Sequence, residues 1–184
     1  MPPEPTLIPG CTVTHLLHHE DARGEFVKVF QAGATRAIGQ DATIAELFWS
    51  RSATGVVRGL HFQLPPHAHA KVVTIIAGTA FDVVVDLRVG SPTFGQPSII
   101  AMDASAPVAI YVPIGCAHGF QATAADTTIA YATTTEHAPE FDCGIRWDTV
   151  GVTWPIADAV LSDRDASFPS LAEFTSPFVY DESP

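Results

Sequence analysis

The chain has 184 residues, which suits one domain large enough to bury about 70% of its unfolded surface. Nine basic residues against twenty acidic ones give a formal net charge of −11, which argues against a nucleic-acid partner but not against a phosphorylated small molecule held by a few arginines. No apolar run approaches the roughly 18 residues of a membrane span. The N-terminus, MPPEPTLIPG, lacks the basic start and apolar core of a secretory signal. Cys11, Cys116 and Cys143 are odd in number, far apart and without a CxxC pair, so a disulfide framework or zinc ribbon is not expected. A cytoplasmic chain with reduced thiols is the reading, with neither a nucleic-acid nor a membrane partner.

In chain order, residues 1–10 are proline-rich and read as an extended arm. Two short β-type runs follow over 12–30 around the turn Asp21-Ala22-Arg23-Gly24. Residues 31–41 are the best place for a short helix or loop, and 43–50 (TIAELFWS) is too short for periodicity to choose between helix and strand. From Val56 onward the pattern is β. Residues 72–76 form an apolar run ending at Gly78. Over 79–88 the sequence alternates, with Phe81, Val83, Val85 and Leu87 on one face and Asp82, Val84, Asp86 and Arg88 on the other. A turn at 90–95 separates this from strands at 98–102, 108–112 and 127–135. Short strands at this spacing predict an antiparallel sandwich or barrel. A short helix is expected near 170–174, within a C-terminal tail of 170–184.

The stretch from Val57 to Gly78, VRGLHFQLPPHAHAKVVTIIAG, sets an arginine, three histidines and one of only two lysines between apolar strands. Titratable groups in half-buried strands are costly unless paired or functional. Two chemistries compete for it: proton transfer at His61, or a metal held by His67, His69 and His118.

The metal reading rests on two short motifs of the metal-binding cupins. His67-Ala68-His69 matches their HxH, and Pro113-Ile114-Gly115-Cys116-Ala117-His118 matches their PxG turn followed by histidine. Three imidazoles with an open position suit zinc or iron(II), in an oxygenase or isomerase. Against it, the usual glutamate is missing, with Thr74 near its place, and Pro65-Pro66 makes the approach to His67 a loop. His67 and His69 then sit at a barrel mouth, solvated or touching ligand.

Six segments favour proton transfer when taken together: RGLHFQ (58–63), PPHAHAK (65–71), FDVVVDLRVGSPTFG (81–95), VPIGCAHGF (112–120), GIRWD (144–148) and LSDRD (161–165). In this order and spacing the chain resembles the dTDP-4-dehydrorhamnose 3,5-epimerase family over roughly residues 20–170. The resemblance implies an all-β jelly-roll (cupin) double-sheet barrel with a few short peripheral helices. It also implies a homodimer, no metal or organic cofactor, and a nucleotide-linked 4-keto-6-deoxyhexose substrate, dTDP-linked, from deoxysugar biosynthesis. C3, C5 or both would be inverted by removing a proton α to the ketone and returning one to the opposite face.

By the same resemblance His61 is the base, Asp165 the carboxylate that orients it, Lys71 the cation for the enolate and Tyr131 the acid. Substrate contacts would come from Arg23, Phe26, Glu46, Arg58, Gln63, His118 and Arg146. Asp163 rivals Asp165, and each of the four also has an ordinary structural reading. His61 could be a core histidine, Asp165 a helix cap, Lys71 a rim lysine and Tyr131 a packed ring. A non-catalytic sugar-nucleotide binding module would need all four to coincide. Strict alternation would put Arg58 and His61 on opposite faces, so either Gly59 marks a bulge or only one points inward. The chain departs from the family pattern at Glu46-Leu47-Phe48, where Gln-Asp-Asn-like residues are usual. It departs again at Lys28, where a glutamate is common, and at Ala132, where a lysine often sits.

Overall fold

The computed structural model describes residues 3–31 and 43–181. Thirteen strands are found among them, and two antiparallel sheets stack face to face as a jelly roll. The chain opens with β1 (Glu4–Pro5), β2 (Thr12–His15) and a hairpin of β3 (Leu17–Asp21) and β4 (Gly24–Lys28). It then passes back and forth between the sheets through β5 (Glu46–Ser52), β6 (Val57–Gln63), β7 (Lys71–Ala77), β8 (Thr79–Asp86), β9 (Pro97–Asp103), β10 (Val108–Val112), β11 (Cys116–Ala122), β12 (Thr127–Thr133) and β13 (Asp142–Gly144). One sheet has the order β1-β2-β10-β7-β12-β5 and the other β13-β6-β11-β8-β9, while β3 and β4 pair only with each other.

Strand alternation places the apolar residues in layers. Val73, Ile75, Ile110 and Ile129 from the first sheet meet Val84, Met102 and Phe120 from the second inside the barrel. Both faces of β8 are buried, because Val83, Val85 and Leu87 pack outside the barrel under Phe174, Phe178 and Trp154 of the C-terminal segment. The face of β8 carrying Asp82, Val84 and Asp86 is therefore the interior one. Asp86 is tolerated there because Arg88, Ser91 and Thr93 all donate to it, which also closes the 90–95 turn. Those bonds outweigh the upward push of burial and hold its carboxyl below the usual range.

The structure decides the open reading at 43–50 and revises those at 170–174 and 116–122. Residues 43–50 are strand from Glu46 onward, since β5 pairs along its whole length with β12. No helix forms at 170–174, where the chain makes turns; the α-helix among the described residues is α1 (Asp163–Ala166), capped by the Ser162 hydroxyl. Cys116–Ala122 is a buried strand, although its Gly and His residues read as part of a turn motif. The expected helix or loop at 31–41 lies, beyond Gln31, outside the described residues. The N-terminal arm is anchored, with β1 pairing with β2 and Ile8 fully buried.

Gly59 resolves the conflict over β6. Its φ is +129°, and the register with β11 slips there: His118 faces His61, but Phe120 faces Arg58, so β6 carries one extra residue. The bulge brings Gly59 and Gly119 together so closely that a Cβ on Gly59 would lie 2.6 Å from the Gly119 Cα. We expect Gly59→Ala to lower stability by roughly 1–3 kcal/mol through this backbone clash and the positive φ. Urea denaturation checks it, and a wild-type midpoint would contradict the account of the bulge.

Candidate active site

Because β6 bulges at Gly59, Arg58 and His61 both line one cavity of about 470 Å³ between the sheets. Lys71 enters it from β7, His118 from β11, and Tyr131 with Thr133 from β12. The edge strand β5 contributes Glu46, Phe48 and Ser50, the alternate residues that face inward, while Leu47 and Trp49 point out to solvent.

His61 Nε2 lies 3.0 Å from Asp165 Oδ1, and the other carboxylate oxygen accepts the Gly59 N–H at 3.1 Å. Burial would raise the Asp165 pKa, but the bonds from His61, Gly59 and the Ser162 cap outweigh it and hold the carboxyl below its ordinary value. Asp165 thus stays ionised and accepts the His61 Nε2–H, which leaves Nδ1 as the nitrogen that can take a proton. Asp163, the rival carboxylate, is exposed. Phe168 packs edge-on against the His61 ring at 5.7 Å.

Lys71 is buried and its Nζ donates to the His61 carbonyl at 3.0 Å. Burial pulls its pKa down from 10.5 to about 8, against the opposing pull of Asp142 and Asp82. Tyr131 is buried as well, stacked on Phe48 at 4.8 Å and 3.4 Å from the Ser50 hydroxyl. Burial pushes its pKa upward, so the phenol keeps its proton at neutral pH. His118 Nε2 pairs with Asp82 Oδ2 at 2.8 Å beneath the cavity, both side chains being almost fully buried.

The remaining candidates are placed as follows. Glu46 lines the cavity and accepts the His137 N–H at 2.7 Å. Arg58 sits at its rim, donating to the Ser52 hydroxyl. Gln63 also lines it, but its amide is committed to His67, His69 and Ala138. Arg23 and Phe26 lie on the β3–β4 hairpin, exposed and away from this cavity, with Arg23 paired to Asp21. Arg146 also lies outside, paired with Asp148. Sequence reasoning missed Asp82 as the partner of His118 and treated Phe48 and Ser50 only as a departure or not at all. A carboxylate inside the run FDVVVD was the available signal for the first.

The metal set does not converge. His67 is exposed and packs at a tilt against Phe141, His118 is tied to Asp82, and His69 Nδ1 accepts from Gln63. No group of three or more His, Cys, Asp or Glu side chains among the described residues is arranged to hold an ion. All three cysteines are free.

The family model described as dTDP-4-dehydrorhamnose 3,5-epimerase matches residues 5–173. The chain belongs to the dTDP-4-dehydrorhamnose 3,5-epimerase family. It is 42% identical over 164 residues to the dTDP-4-dehydrorhamnose 3,5-epimerase of Sinorhizobium fredii, covering 87% of this chain and 84% of that one. The crystal structure of a Legionella pneumophila dTDP-6-deoxy-D-glucose-3,5-epimerase in complex with dTDP-4-keto-L-rhamnose superposes with a TM-score of 0.92 at 31% identity, covering 97% of this chain and 98% of that one. A 3′-monoepimerase from Streptomyces bikiniensis in complex with dTDP-quinovose superposes with a TM-score of 0.86 at 33% identity, covering 92% and 87%. Membership makes the chain a sugar-nucleotide epimerase and leaves the metal-dependent oxygenase reading without support.

The buried Lys71 charge carries a stability cost with a definite pH signature. Its folded pKa of about 8 lies below the unfolded value of 10.5, so between those values the unfolded chain binds more protons and stability rises with pH. Lys71→Met is expected to resist urea better than wild type at pH 7. The gap should narrow as pH climbs from 8 toward 10.5, and a gap that does not change with pH would contradict the assignment.

Proposed function

We propose that this epimerase acts on a dTDP-linked 4-keto-6-deoxyhexose, inverting C3, C5 or both. The observation that carries the reading is the His61–Asp165 pair, at 3.0 Å, sharing one cavity with Lys71 and the protonated Tyr131. His61 Nδ1 removes the proton α to the ketone. The C–H electron pair forms the C=C bond, and the carbonyl oxygen becomes an enolate stabilised by the Lys71 charge. Tyr131 then gives its proton to the opposite face of the carbon, and the ketone re-forms. Arg58 at the rim binds the diphosphate, where a guanidinium suits phosphate oxygens. His118 and Glu46 contact the sugar from the floor and the β5 wall.

The working unit is a homodimer of single-domain chains in the cytoplasm. Support comes from the β3–β4 hairpin, which joins neither large sheet and leaves Leu17, Arg23 and Phe26 exposed along it. In the dimer the hairpin lies over the partner's cavity and delivers Arg23 and Phe26 to it, so each site uses both chains. Gln63 acts through the 65–70 loop it holds, and Arg146 acts from outside the cavity wall.

Incubation with dTDP-4-keto-6-deoxyglucose in D2O, followed by NMR of the hexose, is the deciding test. Deuterium is expected at C3, C5 or both, and none after His61→Ala. Incorporation by that variant at the wild-type rate would refute the base assignment. For the dimer, Arg23→Ala and His61→Ala chains should each be weak alone. Mixed dimers should regain activity, because one of the two sites then has both an intact base and an intact hairpin. Activity no higher than the two parents combined would refute the shared site.

A further inference from the structure

Tyr131 stands on β12, a strand paired on both edges, yet its acidic proton sits at the end of rotatable side-chain bonds that no ladder fixes. Three contacts restrain it. Phe48 is its direct partner in the β5–β12 register and stacks on its ring, with centroids 4.8 Å apart and planes 15° apart. His118 meets the same ring edge-on at 6.1 Å. The Ser50 hydroxyl lies 3.4 Å from the Tyr131 hydroxyl and is its hydrogen-bond partner among the described residues. All four side chains line the cavity that holds His61.

This acid works against its surroundings. Burial favours the neutral phenol and opposes the phenolate that remains once the proton has gone. The Ser50 hydroxyl and the Arg58 charge pull the other way. A phenolate oxygen can only accept, so in that state Ser50 must be the donor. Catalytic hydrogen bonds are often long in an unliganded site and tighten as the reaction proceeds.

We propose that Phe48 and Ser50 are positioning residues for the acid: Phe48 holds the plane of the phenol, and Ser50 donates to the oxygen that loses its proton. This inference rests on the epimerase reading and deepens it. Both residues act on the delivery of a proton to the inverted face. His61, which takes the first proton, belongs to the other sheet and is oriented by Asp165 instead. The two halves of the reaction should therefore separate. With the acid poorly held, the enolate waits longer, and the partly exposed His61 exchanges its proton with solvent and returns it to the face it came from.

The test is the partition of label under initial-rate conditions in D2O with dTDP-4-keto-6-deoxyglucose, where NMR distinguishes deuterated sugar of retained configuration from inverted sugar. Ser50→Ala and Phe48→Leu should each slow formation of inverted sugar roughly 10-fold. Deuterium should still enter the uninverted sugar, so the ratio of retained to inverted label rises. Ser50→Thr keeps the hydroxyl and should restore the wild-type ratio. A general loosening of the cavity would slow both products together and leave the ratio where it was. An unchanged ratio in Ser50→Ala, or a Ser50→Thr ratio no better than that of Ser50→Ala, would overturn the donor role. An unchanged ratio in Phe48→Leu would overturn the stack. In either case the epimerase reading would stand, whereas neither exchange nor inversion by the wild-type enzyme would overturn that reading and this inference together.

Discussion

The Asp165 carboxylate joins the fold to the chemistry. One of its oxygens takes His61 Nε2 and the other takes the Gly59 N–H. That amide lies at the bulge, where the ladder between β6 and β11 loses register. A buried amide without a partner would cost about as much as a lost hydrogen bond, so the group that orients the base also makes the bulge affordable. The bulge in turn lets Arg58 and His61 share a cavity. The segment that brings Asp165 into place is fixed by the same close fit: a Cβ on Gly144 would lie 2.4 Å from the Phe168 ring, which itself packs on His61.

Burial and hydrogen bonding together set the charge of the three groups around the base, and each result suits a role. Asp165 is held ionised because its hydrogen bonds outweigh desolvation. Tyr131 is desolvated without a charged partner and so retains its proton. Lys71, whose burial Asp142 and Asp82 only partly offset, is left close to its titration point. One dry cavity thus produces a permanent anion, a permanent acid and a cation whose charge is costly until negative charge develops nearby. His118 and Asp82 add a buried pair under the same floor, with one Asp82 oxygen left without a partner.

Alternation and motif order made much of this legible. The two faces of β8, the β run after Val56 and the convergence of His61, Lys71, Tyr131 and His118 could all be read from residue spacing and resemblance. Where period-2 reasoning failed, a backbone feature intervened. Arg58 and His61 could not share a face without the Gly59 bulge, and a glycine in a strand does not announce which way it turns the chain. The helix expected at 170–174 lost to turns because Leu171 and Phe174 are spent covering the outer face of β8, while Asp163–Ala166 became helical around the Ser162 cap. The Asp82–His118 pair was hidden because its two halves are 36 residues apart and become diagonal neighbours only when β8 and β11 pair. Arg23 and Phe26 were expected among the substrate contacts by resemblance, yet the fold of one chain keeps them away from its own cavity.

The division between the acid–base core and the substrate wall follows from strand position. His61 lies on β6, Lys71 on β7 and Tyr131 on β12, and each of these strands is paired on both edges. A side chain there is fixed by two ladders and by the packed layers on either face, so its geometry tolerates little change. Glu46, Phe48 and Ser50 lie on β5, which is paired only with β12. Exchanging polar side chains for Phe48 on such a strand alters the wall facing the substrate without disturbing a second ladder. Phe48 nonetheless reaches the chemistry, because it stacks on Tyr131 while Ser50 lies beside the Tyr131 hydroxyl. The departure on this edge strand therefore bears on how the acid is held against the sugar, and His61 on the opposite sheet, with Asp165 beside it, keeps its geometry whichever residues stand there.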